Sequence, residues 1–88
     1  MKKEQIEEKI IKLVVLDLLQ EEEKIGEIDG NSKFFEEIDI DSISVVNLFV
    51  LIEENFGTKI EDVTEFTDSL KDINSLVEYI YKKQMNSV

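Results

Sequence analysis

Cysteine and histidine are both missing from this 88-residue chain. Without cysteine there is no disulfide and no thiolate metal site. Without histidine the commonest general base is gone, and with it a common metal ligand. A catalyst built here would have to use carboxylates, lysines and hydroxyls, which counts against an enzyme. Proline is missing too, and the only glycines are Gly26, Gly30 and Gly57, so helices have few places to break. Long hydrophobic runs are also lacking. The longest, Val45 to Ile52, is interrupted by Asn47 and is far too short to cross a bilayer. The basic start Met1-Lys2-Lys3 is followed by Glu4, Glu7 and Glu8 rather than by an apolar signal segment. A cytoplasmic location, with no membrane partner, is the expectation. No glycine-rich phosphate loop is present. An EF-hand loop beginning at Asp29 or Asp39 would lack glycine at its sixth position and glutamate at its twelfth. No metal ligand set is expected.

What the chain has is negative charge, −11 from 21 acidic and 10 basic residues. Such a surface repels nucleic acid and anionic lipid. It attracts a partner with a basic patch, and salt weakens that attraction. Solubility alone also accounts for the charge. The length suits one domain over residues 1–88, and the 42% hydrophobic content can fill one modest core.

Periodicity predicts an all-α fold, a small four-helix bundle of three main helices and one short one. From Lys3 to Glu23, Ile6, Ile10, Val14 and Leu18 form a stripe that Ile11, Val15 and Leu19 thicken, while Glu7, Glu8, Lys12 and Asp17 lie off it. A polar stretch follows from Lys24 to Ser32, with Asp29-Gly30-Asn31-Ser32 as its turn. Phe34, Phe35, Ile38 and Ile40 are expected to anchor this loop in the core. The second helix starts at Asp41-Ser42, with Asp41 as its cap, and stops near Phe56-Gly57. It is apolar nearly all round, so it sits centrally or leaves surface for a partner. Ile60 to Phe66 reads as a short helix or irregular turn, weakened by Thr58, Thr64 and Thr67. Asp72 caps the last helix, which carries Ile73, Leu76, Val77 and Ile80 on one face and ends on Lys82-Lys83.

Ser42 is the residue on which chemistry could be built. At the first position of a helix it is exposed, and the unpaired N–H groups and partial positive charge there favour a phosphodiester on its hydroxyl. Taken alone, Asp41-Ser42 before an apolar run reads as an ordinary helix cap. No histidine is present to make Ser42 a hydrolase nucleophile.

Taken with its surroundings, the stretch resembles the central signature of the acyl carrier protein family. The residues that carry the resemblance are Phe35, Ile38, Asp41-Ser42-Ile43, Val46, Leu48, Ile52-Glu53-Glu54 and Phe56, then Thr58 to Ile60, and later Glu78-Tyr79-Ile80. The likeness extends over residues 5–82 and is densest over 38–60. Three departures stand out. Ile38-Asp39 replaces a leucine-glycine pair, although aspartate takes a left-handed backbone less readily than glycine. Ile43 replaces a leucine. Asn47 replaces the glutamate common in fatty-acid members, which leaves a polyketide, peptide-like or surface-polymer pathway open.

The resemblance implies a mechanism. A phosphopantetheinyl transferase would present coenzyme A, and the Ser42 hydroxyl would attack its β-phosphate, with magnesium in the transferase site and Asp41 beside it. The resulting 4'-phosphopantetheine arm, not any residue of the chain, would hold acyl groups as thioesters. The chain would then be a shuttle and not an enzyme. Acyl-transferring and acyl-modifying enzymes with basic docking patches would grip Asp41, Val46, Asn47, Val50, Glu53 and Glu54. For the two valines core packing is the competing reading, and for the two glutamates a solvated helix end. A monomer is expected. Two alternatives remain open: a peptidyl or aminoacyl carrier on the same fold, and an acidic interaction module that is never modified.

Overall fold

The structure, a computed structural model, describes residues 2–85. Met1, the first residue of the basic Met1-Lys2-Lys3 stretch, and residues 86–88 lie outside the described residues. Regular structure among the described residues is helical apart from one isolated bridge between Lys33 and Asp72. The fold is the small all-α bundle expected, with three substantial helices and one short one.

Helix α1 spans Lys3–Lys12 and continues as a wider, π-helical stretch over Leu13–Leu18. The Gln5 side chain closes the start by accepting a hydrogen bond from the Lys2 amide at 3.0 Å. Ile6, Ile10 and Val14 are buried as the stripe requires, and Leu13 and Val15 are buried with them. Three neighbours in a row reach the core because this end of the helix meets other elements on two sides, the helix that begins at Ser42 and the turn over Glu22–Lys24. The widened turn is visible in the Leu19 amide, which donates to the Val14 carbonyl five residues back at 2.8 Å.

The helix stops earlier than the Lys3–Glu23 expected. Gln20 turns left-handed at φ 56°, and the Glu21 amide reaches back to the Val15 carbonyl. The cause is legible afterwards: past Leu19 no apolar residue occurs until Ile25, so nothing draws another turn onto the core. Glu22–Lys24 form a separate 3₁₀ turn.

The Asp29–Ser32 turn forms as expected. The Ser32 amide donates to the Asp29 carbonyl at 3.1 Å, and the Asn31 amide to the Asp29 carboxylate at 2.9 Å. The loop is then stitched to the start of α4, Ile73–Met85: the Gly30 carbonyl accepts from the Asn74 amide at 2.8 Å and the Ser32 carbonyl from the Ile73 amide at 3.1 Å. A side chain at Gly30 would meet the Glu7 carboxylate at 2.6 Å and overlap the Asn74 amide, so this contact needs glycine unless both side chains swing away.

Beyond the turn the two phenylalanines part. Phe34 is fully buried, and Ile38 and Ile40 join it, whereas Phe35 is 49% exposed. The core reading therefore holds for Phe34 and fails for Phe35. The backbone explains the choice: the Phe34 carbonyl accepts from the Ile40 amide at 3.1 Å and the Phe34 amide donates to the Lys71 carbonyl at 3.3 Å, which fixes Phe34 inward and turns its neighbour out. The aromatic anchor of the loop is one residue earlier than the resemblance placed it.

Asp39 takes the left-handed backbone at φ 62° that glycine would take more easily. An L-residue there carries a steric cost, lower for aspartate than for most. Asp39→Gly is therefore expected to raise stability by about 0.5–1 kcal/mol, and Asp39→Val to lower it by about 1–2 kcal/mol. Urea denaturation of the two variants measures both.

Helix α2, Ser42–Phe56, has the expected bounds: Asp41 caps it and Gly57 ends it at φ 61°. Helix α3, Val63–Asp68, begins later than the expected Ile60 because Asp62 is its cap, accepting from the Glu65 amide at 3.1 Å. Asp72 caps α4, accepting from the Ser75 amide at 2.8 Å. Ile73, Leu76, Val77 and Ile80 are all buried, and Lys82 and Lys83 lie in the last turn as read. Phe66 ties the short helix down, meeting Phe49 edge-on at 5.5 Å and Tyr79 at 6.1 Å between ring centres.

Candidate functional site

The site is built on the first turn of α2. Asp41 is extended, φ −110° and ψ −177°, and its Oδ1 accepts from the Ser44 amide at 2.8 Å. The amide and hydroxyl of Ser44 hold the Asp41 carboxyl below the usual carboxylate range. A depressed folded-state pKa stabilises the fold above the unfolded value, and that contribution fades as pH falls through the folded one. At neutral pH the cap is therefore an anion.

Because Asp41 does the capping, Ser42 does not. Ser42 is exposed, and its Oγ makes no hydrogen bond within the described residues. The hydroxyl stands at the positive end of a 15-residue helix whose first amides lack helical partners. This arrangement can hold a phosphate ester in water at a defined point of the fold.

Below Ser42 the helix presents aliphatic surface. Ile43 is 73% exposed, Val46 62% and Val50 45%. For Val46 and Val50 this decides against the core reading. Val45 and Phe49 turn the other way and, with Val46, Val63 and Phe66, line a cleft of about 250 Å³ between α2 and α3 with no polar wall. Val45 and Val46 lie three and four residues after Ser42, so the cleft opens one turn from the hydroxyl. Sequence reasoning missed Val63, which stands beside the Asp62 cap and is 59% exposed. It also missed the exposure of Ile43.

The acidic residues divide. Asp41, Glu54 and neutral Asn47 are exposed. Glu53 is half-buried, and its Oε2 accepts from the Ile60 amide at 2.8 Å. The solvated helix end read for both glutamates thus describes Glu54 alone. Lys9 closes the same end of α2, its Nζ 2.7 Å from the Asn55 carbonyl and over the Phe56 ring. Between Ser42 and Ile52 the helix carries no charge, and no lysine occurs between Lys33 and Lys59. No cluster of carboxylates among the described residues could hold a metal ion. No helix among the described residues is long and apolar enough to cross a membrane.

Comparison with known proteins matches residues 13–80 to the family described as a phosphopantetheine attachment site. An acyl carrier protein of Rickettsia bellii is 34% identical over 79 residues, covering 90% of this chain and 86% of the relative. One from Akkermansia muciniphila is also 34% identical over 79 residues, covering 90% and 92%. The chain belongs to the acyl carrier protein family. The family's prosthetic group is 4'-phosphopantetheine, and the residues at the head of α2 fit it: a free hydroxyl, a helix N-terminus whose unpaired amides would favour a phosphate, and an apolar cleft one turn away.

Proposed function

We propose that this chain, one domain over residues 1–88, is an acyl carrier whose 4'-phosphopantetheine arm is attached to Ser42, and that it is a substrate and shuttle rather than an enzyme. The observation that carries this is the exposed, unengaged Ser42 hydroxyl at the head of α2. Asp41 leaves Ser42 free by capping the helix in its place. The N-terminal amides of α2 offset the phosphodiester charge. When bound, the arm supplies a thiol that holds an acyl group as a thioester. The cleft lined by Val45, Val46, Phe49, Val63 and Phe66 then offers the acyl tail a dry surface. Fatty acid synthesis, polyketide synthesis or a related pathway fits such a carrier, working as a monomer in the cytoplasm.

Its partners are a phosphopantetheinyl transferase and acyl-transferring or acyl-modifying enzymes with basic docking patches. Asp41, Val46, Asn47, Val50 and Glu54 form the surface they meet, with Glu53 contributing charge while its carboxylate is bonded to Ile60. Loading by a transferase with a basic docking patch should slow as salt rises. Glu54→Lys should lower kcat/KM roughly two- to fivefold at low salt and leave the melting temperature unchanged. Unchanged kinetics would remove Glu54 from the surface.

The reading is tested by incubating the protein with coenzyme A, magnesium and a broad-specificity transferase, then weighing it and sequencing the modified peptide. Phosphopantetheine mass located on Ser42 supports the carrier. No gain in mass favours an acidic interaction module that is never modified.

A further inference from the structure

Helix α3 has one buried side chain to hold it in place, Phe66, whose ring meets Phe49 of α2 and Tyr79 of α4. It is six residues long. A helix of this length does not persist without outside contacts. Its start is fixed by the connector after Gly57. There Ile60 is buried, and its amide has one partner, the Glu53 carboxylate on the last turns of α2 at 2.8 Å. Two residues on, Asp62 caps α3, and the next residue is Val63, on the α3 side of the apolar cleft. The Glu53 bond thus spans from one wall of the cleft to the segment that positions the other.

We infer that Glu53 is a positioning residue, which holds α3 at its distance from α2 and so sets the length of acyl chain the cleft can shelter. This rests on the carrier reading above. The cleft of about 250 Å³ has no polar wall, so it shelters an alkyl chain of limited length. Losing the carboxylate leaves a buried amide without an acceptor, and the connector then relaxes to let water or another acceptor reach it. The α3 wall moves with it, and the fit to a medium-length chain is lost.

The test loads the protein with a broad-specificity transferase from butyryl-, octanoyl- and dodecanoyl-coenzyme A. The melting temperature of each acyl form is then compared with that of the same variant's unacylated holo form. General destabilisation cancels in that difference, so a merely structural role for Glu53 would not move it. In the natural protein octanoyl should raise the melting temperature by about 4–8 °C, butyryl by less, and dodecanoyl by no more than octanoyl. Glu53→Ala should lose more than half of the octanoyl increment and its distinction from butyryl. Glu53→Gln, which keeps an acceptor oxygen, should fall between the two and keeps the test open should Glu53→Ala fail to fold. Equal octanoyl increments in the natural protein and both variants would overturn the inference while leaving the carrier reading intact. Failure of every coenzyme A to add mass would overturn the carrier reading and this inference together.

Discussion

Ser42→Ala will take up no phosphopantetheine under conditions that load the natural protein fully, and it will melt at the same temperature. Both halves follow from the division of labour at the head of α2. The capping carboxylate belongs to Asp41, which accepts from the Ser44 amide, so removing the Ser42 hydroxyl leaves no orphaned donor. Ser42 is exposed and its Oγ is engaged by nothing among the described residues, so no packing is lost. Alanine is at least as good a helix former as serine. Loading, on the proposed carrier reading, needs that one oxygen. The nearest other hydroxyl, Ser44, is half-buried and turned toward Asp41, on a different side of the first turn. Intact mass and a thermal melt on the same sample check both statements. A loaded Ser42→Ala chain would move the attachment point elsewhere. A large drop in melting temperature would show that the hydroxyl is structural.

Much of this site could be read from sequence because its determinants are local. Asp41 caps α2 and Gly57 ends it through chemistry confined to one turn at each end, and both boundaries were visible in the residue types alone. The same holds for Asp72 and the buried face Ile73, Leu76, Val77 and Ile80. What escaped depended on neighbours distant in sequence. The burial of Leu13 beside Val14 and Val15 follows from contacts with α2 and with the Glu22–Lys24 turn. Glu53 and Glu54 are adjacent and identical in type, yet one finds the Ile60 amide and the other finds water. The apolar cleft needs Val63, whose position depends on where the connector after Gly57 delivers α3. Asn47, neutral where a glutamate is common in fatty-acid members, was legible as a departure, and its exposed place on α2 gives that departure a consequence: the middle of α2 carries no charge.

Phe34 and Phe35 provide the sharpest contrast between adjacent residues. Phe34→Ala should lower the free energy of unfolding by about 3–5 kcal/mol, the range for emptying a buried aromatic site. Phe35→Ala should cost well under half of that, since its ring is half in water against the open groove formed with Lys33, Leu70 and Lys71. A domain of this size has about 5–10 kcal/mol in total, so the first variant should lose roughly a third or more of its stability and the second should stay close to normal. The consequence reaches the functional site. Phe34 anchors the segment through Ile38 and Ile40 that delivers Asp41 and Ser42 to the head of α2, with its carbonyl bonded to the Ile40 amide. Loading of Phe34→Ala should therefore fall with its folded fraction, while Phe35→Ala loads normally. Urea titrations of both variants, read by helical circular dichroism, measure the difference. Equal losses would mean that Phe34 is not the anchor of the loop.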